Sequence, residues 1–462
     1  MEPAAGSWRD PSSRVFEADG HIVRALDADA AADYAVLAAS PLFRDALRER
    51  RIVGTRALEP LPATLVEQGW VAALEHDRVP VVTYPFEWTF SMLRDAALLQ
   101  LDLTEQALAD DLITKDATPY NLQFVGSRPM FIDIGSFERL SPGEPWFGYR
   151  QFCEQFLNPL LVQSQGIPFQ PWLRGEVRGI TPAECRSALP FRTRARPSVF
   201  VHVGLHAWAE RRYAASSRDM RGELRAAGFN PKIVRAQVRR LRKLVRRLRW
   251  QPAESTWSEY TKRGHYSDRD LETKEALVRR VAALRHRSQV LDIGANDGRF
   301  TDAALATADY AVALDADPLV VDHLYRRLRE RGEERIVPVY MDVANLSSPV
   351  GWRAKERPAF VERVRPDLVL MLALVHHLAI TDMVPFEEIV GLLADLDAEV
   401  VVEVPAPEDP MVRRLTRTKK GGAVDRYSIE AFESAAATLF DVIERQVLPS
   451  DTRNLYHLRP RR

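Results

Sequence analysis

The chain has 462 residues, 46% hydrophobic and 28% charged, with 64 Lys and Arg balanced by 64 Asp and Glu. That length exceeds one ordinary core, so two or three domains are expected, and the composition excludes a disordered chain. Neutrality excludes a global attraction to nucleic acid or membrane and leaves only local ones.

Two cysteines, Cys153 and Cys185, stand without Cys/His pairs at zinc spacing, so nothing calls for an oxidising compartment or a structural metal. The start, Met1-Glu2-Pro3-Ala4, lacks the basic-then-apolar pattern of a secretory leader. The longest uncharged apolar run, Leu368 to Val375, is too short to cross a bilayer. The expected location is cytoplasmic.

Residues 1–85 alternate short segments: a strand at His21–Leu26, a helix around Phe43–Arg48, and strand-like Arg51–Gly54 and Val81–Tyr84. This predicts a small α+β unit. From Phe86 to Ala109, the residues Trp88, Met92, Ala96, Leu99 and Leu103 keep helical spacing. A loop with Asp116 and Asn121 follows, then a hairpin of Leu122–Val125 and Pro129–Gly135 that ends at Asp133 before Gly135.

Residues 86–160 resemble the catalytic segment of the protein-kinase-like and aminoglycoside-phosphotransferase-like superfamily. The resemblance implies Asp116 as base and Asn121 and Asp133 as metal ligands. Thr114-Lys115 replaces the usual His-Arg or His-Gly, no Gly-rich loop lies upstream, and Lys115 is the first lysine in the chain. An arginine is a poor substitute for the missing lysine. An active phosphotransferase, a degenerate lobe and an unrelated Asx turn all stay open.

Residues 136–229 read as mainly helical, with Trp146, Phe147, Tyr149, Phe152, Phe156 and Trp172 as core. After Asn230-Pro231 a basic helix runs over 232–249, with Val234, Val238, Leu241, Val245 and Leu248 on one face. It suits either a connecting helix on acidic neighbours or a grip on RNA or anionic lipid; the connecting role is favoured. Gln251–Ser255 ends it. The division is 1–85, 86–229, 230–255 and 256–462.

The last segment opens with Trp257–Tyr260 and His265-Tyr266. A helix over 268–285 buries Leu271, Ala276, Leu277, Val281 and Leu284. Apolar strands then alternate with helices: Ser288–Ile293, Tyr310–Leu314, Ile336–Met341, Leu368–Leu374 and Glu399–Val404. A hairpin of Phe440–Leu448 and Asn454–Leu458 closes the chain. Continuous apolar strands between amphipathic helices predict a doubly wound, seven-stranded α/β sheet covered on both faces. Its ligand crevice lies at the strands' carboxyl ends. The first strand runs into Asp292-Ile293-Gly294-Ala295-Asn296-Asp297-Gly298, a tight turn before a helix N-terminus whose N–H groups face the same spot.

This segment resembles the class I S-adenosylmethionine-dependent methyltransferases. Asp292, Gly294 and Gly298 match the family's first motif. Asn296 stands for the middle glycine, and Asn is the least costly non-Gly residue in a left-handed turn. The resemblance implies Asp315 as acceptor for both ribose hydroxyls, with Ala316 beside it. It implies Asp342 and Val343 at the adenine and Leu372 at the end of strand four. S-adenosylmethionine is the implied cofactor. A dinucleotide fingerprint would need glycines where Asn296 and Arg299 stand.

Strand four ends in Leu372–Leu378 without the Asp/Asn-Pro-Pro-Tyr/Phe of nucleobase amino-methylating enzymes. The implied acceptor is therefore a small molecule, carbohydrate or natural product rather than a nucleobase amine. His377 can take a proton from it or merely pack the turn. Glu403 can orient the acceptor or merely end strand five. A methyltransferase is the principal reading. The alternatives are a cofactor-binding regulator, an RNA methyltransferase using the basic helix, and N-terminal phosphotransfer.

Overall fold

The computed structural model describes residues 1–18, 20–141, 144–205, 231–251, 267–417 and 426–461. Two compact units divide the chain: Met1–Phe124, Arg128–Pro252 and Pro349–Pro358 form the first; Val125–Ser127, Ala253–Ser348 and Ala359–Arg462 form the second. Most of 1–252 falls in the first unit, while 125–127 and 253–255 group with the second. The aromatic lead-in, Trp257–Tyr260 and His265-Tyr266, lies outside the described residues.

The first unit opens with β1 (Glu2–Pro3), β2 (Ser13–Ala18), β3 (His21–Leu26), β4 (Thr55–Ala57) and β5 (Ala72–His76), hydrogen-bonded in the order β1-β2-β3-β5-β4. The helices Ala28–Ala39 and Pro41–Arg48 fill the connection between β3 and β4. Two strand expectations fail. Arg51–Gly54 makes only an isolated bridge, Ile52 to Phe131. Val81–Tyr84 is irregular because Thr83 gives both backbone groups to one side chain: its N–H donates to Gln123 Oε1 at 2.8 Å and its carbonyl accepts from Gln123 Nε2 at 3.0 Å.

Thr89 caps the helix Phe90–Ala107, accepting from Met92 N, so the helix starts later than the spacing alone suggested. β6 (Leu112–Thr114) pairs with β9 (Phe137–Arg139) around the hairpin of β7 (Leu122–Val125) and β8 (Arg128–Phe131). Short helices occupy most of 148–205, with Trp146, Phe152 and Phe156 buried. Phe147, expected in the core, is exposed.

The basic helix is Pro231–Arg247 and buries the expected face, Val234, Val238, Leu241, Val245 and Leu248. It lies on the helix Phe90–Ala107: Arg239 Nε reaches Glu105 Oε1 at 2.5 Å and Arg242 Nη1 reaches Asp102 Oδ1 at 2.6 Å. Those acids account for two of its cations, which favours a connecting role over an RNA grip.

The second unit carries the doubly wound sheet. Its strands are β10 (Arg287–Ile293), β11 (Ala308–Asp315), β12 (Ile336–Tyr340), β13 (Leu368–Met371), β14 (Glu399–Pro405), β15 (Phe440–Val447) and β16 (Arg453–Pro460). They are ordered β12-β11-β10-β13-β14-β16-β15, the first five parallel and β16 antiparallel to both neighbours. Numbered from β10, this is 3-2-1-4-5-7-6, so the order reverses beside β10 and opens a crevice at the carboxyl ends of β10 and its neighbours. The fold class is therefore the expected α/β one.

The helix Asp268–Ala282 departs from its predicted stripe. It buries Leu277 and Val281 as expected but turns Asp270 and Lys274 inward, while Leu284 is 58% exposed. An ion-pair partner inside the unit accounts for the buried lysine, as described below. Among the described residues no helix is long and apolar enough to cross a membrane.

Candidate active site

The loop after β10 takes three left-handed residues, with φ of +82° at Gly294, +48° at Asn296 and +76° at Gly298. Asn296 thus adopts the conformation that the missing glycine would have supplied. The N–H groups of Gly294 and Ala295 both donate to Leu314 O, at 2.8 and 2.9 Å, which ties the loop to the end of β11. A Cβ on Gly294 would come no nearer than 3.5 Å to any neighbour, Leu374 Cδ2, so its φ is the reason for glycine there. At Gly298 a Cβ would lie 3.0 Å from Leu324 Cδ1 as well. Gly298→Ala is expected to cost about 1–2 kcal/mol of unfolding free energy, measured by denaturant titration. The helix behind the loop spans only Arg299–Leu305. About two turns add little dipole, so the acids rather than the helix end set the local field.

Asp292 is 1% exposed, and its Oδ2 accepts from Thr301 Oγ1 at 2.6 Å. Its carboxyl is therefore turned to the first turn of the following helix, and it braces the loop instead of facing solvent. Burial pushes its pKa up to about 7, with the Thr301 hydrogen bond opposing and Asp315 adding to the rise. A carboxyl that binds its proton more tightly folded than unfolded loses stability as pH rises from the ordinary value to the folded one. Asp292→Asn is thus expected to stabilise the chain at pH 8 by up to about 4 kcal/mol and to have no effect near pH 4. Thermal melts of both proteins across that range check this.

Asp315 ends β11 and grips the loop from the other side. Its Oδ2 accepts from Asn296 N and its Oδ1 from Asp317 N, each at 2.9 Å. Burial raises its pKa, and those backbone donors oppose the rise. Ala316, next in the chain, is exposed. Asp342 follows β12 with its side chain exposed, and one oxygen accepts from Ala344 N at 2.9 Å. Val343 is half-buried beside it. Leu372, buried, presents its carbonyl 4.0 Å from where a Gly294 Cβ would be. The structure therefore gathers Asp292, Gly294, Asn296, Gly298, Asp315 and Leu372 around one turn, with Asp342 and Val343 after the next strand.

β13 stops at Met371, three residues earlier than expected, because Ala373 takes φ +56° and turns the chain. The turn delivers His376 and His377, whose rings touch at a tilt of 42° with centroids 4.3 Å apart. His377 is half-buried; desolvation, with Arg453 adding to it, lowers its pKa to about 4.

Glu403 is corrected as an acceptor residue. It is fully buried and both oxygens are engaged by cations: Lys274 Nζ at 2.5 Å on Oε2 and Arg453 Nη1 at 2.9 Å on Oε1. Arg453 continues to Asp409, its Nε 2.7 Å from Oδ2. Two cations and two anions neutralise one another inside the unit. Burial raises the Glu403 pKa, but Lys274 and Arg453 outweigh it and hold the carboxyl below its usual range. Glu403 binds the hairpin β15–β16 and the helix Asp268–Ala282 to the sheet and does not face an acceptor.

In the first unit, Asp133 Oδ1 is 2.8 Å from Arg24 Nη2, and Arg24 comes from β3. Burial raises the Asp116 pKa, followed by the charge of Asp133, so the two acids are neighbours. Asn121 is buried, with its Nδ2 lacking a hydrogen-bond partner among the described residues.

No protein-family model matches the chain. Nodulation protein NoeA of Rhizobium meliloti (strain 1021) is 33% identical over 455 residues, covering 98% of this chain and 95% of that protein. The chain belongs to the NoeA family. Among solved structures, the N-methyltransferase NodS of Bradyrhizobium japonicum WM9 in complex with S-adenosyl-L-homocysteine covers 45% of the chain and 100% of its own, at 14% identity and a TM-score of 0.33. The magnesium protoporphyrin IX methyltransferase ChlM of Synechocystis PCC 6803, with bound S-adenosylhomocysteine, covers 45% and 90% at 13% identity and a TM-score of 0.30.

Three groups in this NoeA-family chain escaped sequence reasoning. Thr301 braces Asp292. Asp317 caps the helix Pro318–Glu330 through Leu319 N and Val320 N and donates its own N–H to Asp315. Its Asp-Pro signature before an apolar helix was legible. The third is the quartet of Lys274, Glu403, Arg453 and Asp409, for which sequence carries no signal because its members meet only in the folded unit.

Proposed function

We propose that the second unit transfers a methyl group from S-adenosylmethionine to a small-molecule or carbohydrate acceptor. One observation carries the reading: Asp315 Oδ2 accepts from Asn296 N at 2.9 Å. That contact brings a strand-end carboxylate against a left-handed loop, which supports a site for an adenosine with vicinal hydroxyls. The residues fit the cofactor. Gly294 and Asn296 leave room for it along the loop, Asp315 would hold the ribose, and Asp342 would accept from the adenine amine. Three acids, with no Lys or Arg from Asp292 to Gly298, disfavour a pyrophosphate there.

When bound, S-adenosylmethionine supplies an activated methyl on a sulfonium. The chain's task is then to position the acceptor and exclude water, so holding two reactants together can account for much of the rate. The end of β13 offers neutral imidazoles and no Asp/Asn-Pro-Pro, which favours a hydroxyl or amine of a small acceptor over a nucleobase amine. Calorimetry with S-adenosylhomocysteine tests the cofactor half of the reading: absence of a binding heat would sink it. Labelled methyl appearing on a panel of amino sugars and small alcohols tests the other half, and binding without transfer to any of them would favour a regulator.

A further inference from the structure

We propose that His376 is the residue that meets the acceptor, one imidazole nitrogen taking the hydrogen bond, and during transfer the proton, of a hydroxyl or amine on it. This rests on the methyl-transfer reading above.

His376 is fully buried, yet neither Nδ1 nor Nε2 has a hydrogen-bond partner among the described residues. Leaving a buried polar group unmet is costly, and native proteins rarely tolerate it without a use. The surroundings sharpen the point. Glu403 of the sheet, Arg453 of the hairpin and Asp409, which caps the helix Pro410–Thr416, are all buried, and each is ion-paired, as is Lys274. The fold therefore pairs the charges of this region, while both imidazole nitrogens of His376 stay unmet among the described residues. His377 touches it and supplies no hydrogen bond that would satisfy it.

Its position suits the role. Leu374, two residues before it, lies with Cδ2 3.5 Å from where a Gly294 Cβ would stand, so the turn carrying His376 abuts the cofactor loop. Ala373 at φ +56° is the strained residue that redirects the chain there, and strain of this kind clusters at ligand sites. Desolvation, then His377, Arg453 and Lys274, push the His376 pKa well below its ordinary value. The ring therefore stays neutral before transfer and able to accept a hydrogen bond.

In the transfer, the acceptor heteroatom bonds to the methyl carbon as the carbon–sulfur bond breaks and its electron pair stays on sulfur. The heteroatom's proton passes to an imidazole nitrogen of His376, which becomes an imidazolium. His376 is then a catalytic residue, with His377 beside it.

The test uses the full chain and the substitution His376→Leu, which has similar volume and no polar atoms. The expected result is a melting temperature about 2–4 °C higher, because an unmet polar group has gone. S-adenosylhomocysteine affinity should match the parent, and transfer to the sugar and alcohol panel should fall at least about 100-fold. A lower melting temperature with transfer intact would mean that the ring serves packing or a buried water, and would overturn the proposal. Should His376→Leu not fold, His376→Gln keeps hydrogen-bonding atoms without basicity: it must bind S-adenosylhomocysteine and lose transfer, and parental transfer would be fatal. Loss of S-adenosylhomocysteine binding by the parent itself would instead refute the methyl-transfer reading, independently of the melting shift.

Discussion

Arg453→Met is expected to destabilise the second unit by about 3–5 kcal/mol, the largest effect of any single substitution discussed here. Arg453 is 2% exposed and faces two buried carboxylates, Glu403 at 2.9 Å and Asp409 at 2.7 Å. Removing it leaves one lysine to neutralise two anions in a dry interior, while Thr452 Oγ1 still donates to Asp409 at 3.1 Å. The deficit is electrostatic rather than volumetric, since methionine fills similar space. Guanidinium titration measures it. The double substitution Lys274→Met with Glu403→Met removes a matched pair and should cost far less, because desolvation of both ions disappears with their attraction. Equal losses in the two proteins would show packing, not charge, to be the source.

Asp315→Ala is expected to weaken S-adenosylhomocysteine binding at least about 100-fold, or about 3 kcal/mol. Two losses add. The ribose hydroxyls lose a charged acceptor, and the N–H groups of Asn296 and Asp317 lose the oxygens that hold the loop against β11. Asp315→Asn separates them: one amide oxygen can still hold the loop, but the second position becomes a donor that opposes a hydroxyl. Its affinity should fall between parent and Asp315→Ala. Calorimetry on the three proteins decides, and unchanged affinity in Asp315→Ala would remove Asp315 from the site.

The contrast between Asp315 and Glu403 shows why one strand-end acid was legible and the other misleading. Asp315 closes β11 and Glu403 lies near the end of β14 in the same sheet. Asp315 meets a loop joined to the adjacent strand, so its partners are local in topology and follow from the alternating pattern. Glu403 meets Lys274 from a helix far upstream and Arg453 from a hairpin far downstream. No periodicity reports that meeting. Lys274 is one more charged residue on an amphipathic helix until the fold turns it inward. Arg24 is similar: on β3 it reads as an alternating strand residue, and only the packed first unit brings it to Asp133.

Sequence alone determined the class of the second unit and the geometry of its loop. Short Val- and Ile-rich apolar runs alternating with amphipathic helices suit strands covered on both faces, and Gly-x-Asn-x-Gly suits a turn through left-handed residues. These are local constraints, carried by each residue's own backbone and solvation preferences. The tertiary structure decided which acids are open to a ligand and which are spent on internal cations. It also decided that His376, not flagged beside His377, is the buried ring left unmet. Burial and ion pairing depend on which distant side chains share a dry interior, and that is a property of the packed chain rather than of any stretch of it.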